Sequence, residues 1–307
     1  MRRLFPLMLV MTSLPAQEAR LNGPTLGTAW HARTQTLRPL LGIFGAARFG
    51  DAYIFDGKIE FAEVAPGSKF ALAVISKDSQ RRAALLTWTD GVVSARELAG
   101  IPAEFSRVVF SPQARAAVLV SKTEVRTLTG LPDDPKLSAP VSLPDSDALA
   151  VDDSGAAAMV VRTSEEAVLY RVPFDQSPQR LYAAPAIQAA AFAREPDELY
   201  VAAGNSVGRI SAEGAFTELS AQQRAEWLAA DAKSLIAASS RGVMLAPRDG
   251  SASVQTPECA CELSQLVLLS GDVYLLTGAS SDLVWVLDSA RRETRFVPAI
   301  NTDEVTQ

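Results

Sequence analysis

The sequence predicts an all-β fold assembled from a repeated four-strand unit, and three observations carry that prediction. One pattern, an alternating apolar strand followed by a tight turn and a second apolar strand, recurs along most of the 307 residues. Its turns fall at a spacing of 36 to 46 residues. Each such pair is followed by two more short strand-like segments bounded by Gly, Asp or Pro, and short strands with turn signals every ~8–12 residues mean β structure.

Taken in order, the paired strands are IEFAEVAPGSKFALAVI (Ile59–Ile75), EFSRVVFSPQARAAVLV (Glu104–Val120) and DALAVDDSGAAAMVV (Asp147–Val161). They continue as IQAAAFAREPDELYVAA (Ile187–Ala203), AEWLAADAKSLIAAS (Ala225–Ser239) and LSQLVLLSGDVYLLTG (Leu263–Gly278). Turn centres lie near Pro66, Pro112, Asp153, Pro196, Ala232 and Gly271. Third strands follow at Ala84–Gly91, Ala167–Phe174, Gly242–Gly250 and Leu283–Ala290, and more polar fourth strands at Ala95–Ala103, Gln179–Ala186 and Thr294–Ile300. Four strands per ~40 residues is the blade of a β-propeller. The first two strands of each unit are apolar and rich in small residues, which suits the inner part of a blade. The fourth suits an outer edge, where Pro and charge are tolerated. A β-sandwich would not repeat its internal order six times. Only Ser220–Ala232, SAQQRAEWLAADA, has helical composition, enough for a few turns.

Ahead of the six units, Gly27–Ile43 aligns with the third and fourth strands of the last one, Trp30 falling over Trp285. A further short strand is expected at Asp51–Phe55. This N-terminal part reads as an incomplete seventh blade that closes the ring beside the C-terminal blade; six blades with an N-terminal extension is the alternative. One propeller domain is expected over residues 24–300, with a polar tail at 301–307. Met1–Ala16, MRRLFPLMLVMTSLPA, places Arg2 and Arg3 before an apolar run and small residues. That is the order of a secretory signal peptide, and the run is about half the ~20 residues a spanning helix needs. A periplasmic or extracellular location, with no membrane insertion after cleavage, is the expectation.

Composition narrows the function classes. Hydrophobic residues make up 48% and charged residues 21%, the balance of a folded soluble chain. The net charge of -6 gives no basic footprint for nucleic acid and none for anionic lipid.

The turns Phe110-Ser111-Pro112-Gln113 and Val151-Asp152-Asp153-Ser154-Gly155 resemble the blade hairpins of WD-repeat, YVTN-type and TolB-like propellers. The Trp-Asp signature of WD repeats is missing, since Thr89 follows Trp88 and Val286 follows Trp285. The resemblance implies an exported propeller, of a kind that mostly serves as a binding platform and in some cases as an enzyme.

No catalytic, metal or cofactor residue stands out. His31 is the only histidine; it cannot build a multi-histidine metal site, and it reads as an ordinary strand position. Cys259 and Cys261 are the only cysteines. Two residues apart in a strand they would lie ~6.5–7 Å apart at Cα, so a disulfide needs a local bend, which Pro257 makes credible. A local disulfide, two thiols and a metal site are the readings left open. Asp133-Asp134, Asp152-Asp153 and Glu165-Glu166 read as turn or solvated carboxylates, and Arg81-Arg82 and Arg291-Arg292 as solvated hairpin charges. Leu131–Pro140 has loop composition without the spacing of a calcium loop. The expectation is a monomeric, non-catalytic binding or scaffold module for protein, peptide or glycan ligands at the propeller face, with no cofactor. The alternatives are a calcium-dependent lactonase-like or glycan-cleaving hydrolase, and a structural component of an envelope assembly.

Overall fold

A strand whose residues are apolar at every position must bury both faces, because successive side chains point to opposite sides of the sheet. The middle of the second strand is of this kind in blades 2 to 7, and the architecture follows from it. The computed structural model describes residues 23–298 apart from 123, 142, 144, 196–197, 222–223, 252–253, 258, 260, 262 and 279–282. The signal-like segment 1–16 and the tail 301–307 lie outside the described residues.

The described chain forms seven antiparallel sheets, a seven-bladed β-propeller. From blade 1 to blade 7 the innermost strands are Thr25–His31, Lys58–Val64, Arg107–Phe110, Ser146–Val151, Ile187–Phe192, Trp227–Ala230 and Val267–Ser270. The second strands are Thr36–Ile43, Ala71–Lys77, Ala116–Val120, Ala157–Arg162, Leu199–Ala203, Ser234–Ser239 and Val273–Leu275. Within each blade the strands follow chain order from the axis outward. Blades 1 and 6 have three strands and the others four. In blade 6, Gln255 pairs with Leu245 through two backbone hydrogen bonds of 2.7 and 2.8 Å where a fourth strand would lie.

Seven apolar clusters fill the seven gaps between blades. The second strands feed them alternately. In blade 2, Leu72 and Val74 face blade 3 while Ala71, Ala73 and Ile75 face blade 1. In blade 6, Leu235 and Ala237 face blade 5 while Ile236 and Ala238 face blade 7. Small residues alternate with large ones, which lets neighbouring sheets approach closely.

The sequence reading of the N-terminal blade needs correction. The structure makes the strands within Gly27–Ile43 the first and second strands of blade 1, with Ala46–Phe49 the third. Trp30 therefore sits on an innermost strand, not on an outer one like Trp285. The segment expected as a strand at Asp51–Phe55 instead runs along the outer edge of blade 2, where Ile54 bonds Gly91 and Val93. Within Ser220–Ala232 the structure has the end of the strand Phe216–Ala221 and the strand Trp227–Ala230, and none of the described residues is helical. The demand of the ring for paired sheets overrides the local helical propensity of Ala, Gln, Glu and Arg.

Closure joins chain segments far apart in sequence. Leu26, Ala29 and Leu40 of blade 1 pack against Leu269, Val273, Val284 and Val297 of blade 7. Ser270 Oγ donates to the Leu26 carbonyl at 2.6 Å, and Ser68 Oγ of blade 2 donates to the Leu269 carbonyl at 3.0 Å. Gly27 sits where blades 1, 2 and 7 meet: a Cβ there would lie 2.8 Å from Ser68 Oγ and 2.9 Å from Leu269 Cβ. Between blades 5 and 6, Arg248 donates to Tyr200 Oη at 3.0 Å and to the Asp231 carbonyl at 2.9 Å, and pairs with Glu195 at 2.7 Å and with Glu198.

Gly27→Val is expected to destabilise the fold by ~1–3 kcal/mol through overpacking at the closure point, read from urea unfolding midpoints. Arg248→Met removes a poorly exposed cation from four partners and is expected to cost ~1–3 kcal/mol. Arg248→Lys recovers little, because an ammonium cannot reproduce the planar fork.

Candidate functional site

The innermost strands converge on the ring axis, so the side chains they turn inward share one space. That space is a cavity of about 550 Å³ lined from six of the seven blades. Register shows which residues share a level. The last ladder pairs before the hairpins are Val64↔Ala71, Phe110↔Ala117, Val151↔Ala157, Phe192↔Leu199 and Ala230↔Leu235. One residue back lie Glu63, Val109, Ala150, Ala191 and Ala229, all of them in the cavity wall. Of these five residues four are aliphatic and one is a carboxylate. Bulges in the innermost strands of blades 4 and 5 leave Leu149 and Gln188 as extra residues, and both line the cavity. Re-aiming a side chain is what a bulge does.

Glu63 makes no hydrogen bond or ion pair within the described residues. Water in the lumen can touch part of its side chain, yet protein surrounds the carboxyl closely and solvates it poorly. Burial pushes its pKa up to about 7, against the pull of the Arg107 charge.

The remaining polar groups gather at the two ends. Where the innermost strands begin, Arg107 bonds Asp147 Oδ1 and the Ala148 carbonyl, each at 2.6 Å. Arg162 reaches Asp147 Oδ2 at 3.5 Å and donates to the Ile187 carbonyl at 3.2 Å. These arginines tie blade 3 to blade 4 and blade 4 to blade 5. Gln188 Nε2 donates to the Gly204 carbonyl at 3.2 Å, while its Oε1 is buried without a hydrogen-bond partner. Glu226, Trp227 and Gln265 complete this end. A groove of about 410 Å³, lined by Arg162, Glu166, Pro185 and Arg224, opens beside it and shares Gln188 and Glu226 with the axial cavity. At the opposite end stand Ser111, Arg194, Asp231 and Tyr274. Asp231 is satisfied: Oδ1 accepts from the Lys233 and Ser234 amides at 2.8 and 2.6 Å, and Oδ2 from Ser289 Oγ at 2.9 Å. Burial, and then the Asp231 charge, raise the Tyr274 phenol pKa.

The residues singled out from sequence fall elsewhere. His31 is buried in blade 1, outside the cavity wall. Its Nδ1 accepts from the Thr34 amide at 3.2 Å and lies 2.7 Å from Thr34 Oγ1, which leaves the proton of the neutral ring on Nε2. Burial, with Arg38 and Arg33, lowers its pKa. Cys259 and Cys261 are paired as a disulfide with Cα atoms 5.1 Å apart, in the segment that replaces the fourth strand of blade 6. Cys261 is buried in the layer against blade 7. Asp152 is the hairpin residue its position suggests, accepting from the Ser154 and Ala156 amides at 2.9 and 2.8 Å. Arg81 and Arg82 lie in the third strand of blade 2 and pair with Glu60 and Glu97 at 2.7 and 2.8 Å. Four carboxylates line the axial cavity, Glu63, Asp147, Glu226 and Asp231. Among the described residues no three His, Cys, Asp or Glu side chains come close enough to share a metal ion.

No protein-family profile matches the chain, and no curated protein matches it. Solved structures do. A functionally unknown protein from Desulfotomaculum acetoxidans superposes with a TM-score of 0.57 at 10% identity, over 89% of this chain and 99% of that one. A catalytically inactive virginiamycin B lyase from Staphylococcus aureus, solved with quinupristin, gives 0.53 at 13%, over 78% and 84%. Apo AztD from Citrobacter koseri gives 0.53 at 11%, over 91% and 83%. Identities this low establish the propeller fold and carry no chemistry with them.

The raised pKa of Glu63 means that folding takes up a proton between pH 4.5 and about 7. The contribution of Glu63 therefore falls as pH rises through that window, by up to ~3 kcal/mol. Glu63→Gln is expected to lose this slope and to exceed the wild type in stability at pH 8, measured by denaturant unfolding across pH. His31 has the opposite sign: its contribution is complete above about pH 6.5 and is lost as pH falls through its lowered folded value. As the only imidazole in the chain, it should titrate as a single NMR resonance with a midpoint below 6.5.

Proposed function

We propose that this chain is an exported propeller that binds a ligand in its axial cavity without chemically altering it, and that the ligand is a peptide or peptide-like segment. One observation carries the reading: a cavity of about 550 Å³ with a mostly aliphatic middle and polar groups gathered at its two ends. That is the general character of a ligand site on a preformed scaffold. The groove beside the strand-start end supports an extended ligand, because it continues the cavity through Gln188 and Glu226. The aliphatic middle of the cavity favours the apolar side chains of a peptide over the hydroxyl-covered rings of a glycan. The basic, apolar and small-residue order of Met1–Ala16 supports export.

A thermal-shift screen of the protein against peptide and glycan libraries and divalent ions tests this. A ligand at a hundredfold its Kd adds ~2.7 kcal/mol of stability. Peptides are expected to raise the melting temperature, and Ala229→Phe, which fills the lumen, is expected to abolish the shift. Stabilisation by calcium alone, accompanied by hydrolysis of lactone or ester substrates, would replace this reading with the enzymatic one.

A further inference from the structure

A carboxylate held in an aliphatic wall is costly unless something pairs with it. Glu63 has no such partner among the described residues. Its level in the cavity is otherwise Val109, Ala150, Ala191 and Ala229. Arg107 is the nearest cation to act on it, but that guanidinium is already engaged by Asp147 and the Ala148 carbonyl. Asp147 is in turn held by two arginines, and Asp231 by two amides and a hydroxyl. Arg194 lies at the far end, where it acts on Tyr274 alongside Asp231. Of the four carboxylates in the wall, Glu63 and Glu226 have no hydrogen-bond or ion-pair partner among the described residues; Glu226 is exposed to water, so Glu63, flanked by aliphatic residues, is the one that lacks both partner and full hydration. Glu226 and Trp227 stand at the entrance, a carboxylate and an aromatic ring on the path inward.

We infer that the axial cavity receives a cationic group on an apolar stem, an alkylammonium or guanidinium, with the Glu63 carboxylate as its counter-ion. This rests on the reading of the cavity as a ligand site. Aliphatic walls take the methylene stem, and the ionised carboxylate takes the charge through a charge-assisted hydrogen bond. A lysine or arginine side chain of a peptide lying in the adjoining groove carries this chemistry, and so does a free amine. Binding draws Glu63 into its ionised form. Below neutral pH it therefore expels the proton that the empty site holds, and affinity rises with pH until Glu63 is ionised without help. The other charged groups lining the cavity are Arg107, Asp147, Arg194, Glu226 and Asp231, with the Tyr274 phenol. The two acidic groups that could mimic this linkage are already paired, Asp147 with arginines and Asp231 with amides, and Glu226 is exposed at the mouth.

The test is calorimetric titration of the whole protein with pentylamine, with N-acetyl-lysine methylamide and with the tripeptide acetyl-Ala-Lys-Ala-amide. Pentanol and pentanoate serve as the neutral and anionic isosteres. The cations are expected to bind and the isosteres not to bind in the same concentration range. At pH 6, titration in buffers of different ionisation enthalpy is expected to show release of close to one proton per site, falling towards none at pH 8. Glu63→Gln, which removes an unfavourable charge and so folds, is expected to weaken cation binding at least tenfold and to abolish proton release. A tripeptide that binds more tightly than pentylamine identifies a peptide side chain as the source; equal affinity identifies a free amine. Equal binding of pentanol, an unchanged affinity in Glu63→Gln, or no cation binding at 10 mM (about 2.7 kcal/mol or weaker) overturns the assignment. If peptides still bind the Glu63→Gln protein and Ala229→Phe excludes them, the cavity remains a ligand site and only the counter-ion assignment fails.

Discussion

The structure depends on one constraint: in blades 2 to 7 the central residues of the second strand are buried on both faces. Each such strand gives alternate side chains to the blade before and the blade after, so no blade owns a core of its own. Leu199 and Val201 belong to the layer with blade 4, and Tyr200 and Ala202 to the layer with blade 6. A single sheet of this composition would expose one apolar face, and a linear stack would expose two at its ends. Only a closed ring gives every blade two neighbours. This explains why the segment before the first clear repeat becomes a blade at all. Blade 1 has three strands among the described residues, yet it supplies Leu26, Ala29 and Leu40 to one layer and Leu37 to the other. The short distances at Gly27 mark where the seal is tightest.

Two-sided burial also decides where function can reside. Charge pairs sit on exposed strand positions, as Arg81 and Arg82 of a third strand do with Glu60 and Glu97. Second strands commit their central side chains to the layers, and only end positions such as Arg162 reach a polar site. What remains is the inner wall, the turns and the ends of the innermost strands. Innermost strands with bulges depart from strict alternation, and at Leu149 and Gln188 the additional residue meets the lumen. The axial cavity is thus assembled from the least repetitive positions of a repetitive fold, with packing handled one strand further out.

The same division explains what could be read from the sequence. The six strand pairs were legible because two-sided burial writes a continuous apolar run with a turn in its middle. Blade 1 was recognised as a blade but placed in the wrong register: matching Trp30 to Trp285 aligned an innermost strand with an outer one. The strand Trp227–Ala230 reads within Ala225–Ser239 as the first of a pair, and the structure has it so, although the helical composition of Ser220–Ala232 overlaps it. Closure bonds such as Ser270 to Leu26 join positions 244 apart and leave no local trace. Arg248 likewise meets Tyr200 and Glu198 across 48 and 50 residues. Glu63 had a faint signal. It is a carboxylate at a position where the next repeat has Val109 and the following ones have alanine, but charged residues elsewhere in these strands lie on solvated faces, so sequence alone did not separate it.

A buried polar group becomes informative when its bonding is compared with that of its neighbours. Asp152 and His31 are both buried, and both are accounted for locally: Asp152 ties its own hairpin together, and His31 meets Thr34 three residues on. Neither needs anything from outside the chain. Glu63 differs in kind. Its position would accept valine or alanine, as the other blades do, and packing would lose nothing. The carboxylate instead weakens the empty protein at neutral pH, and the seven apolar layers offset that cost. A sequence that is locally consistent nearly everywhere and inconsistent at one lumen position has its departure where a ligand would meet the protein. The partner that removes the inconsistency is a cation small enough to enter an aliphatic cavity.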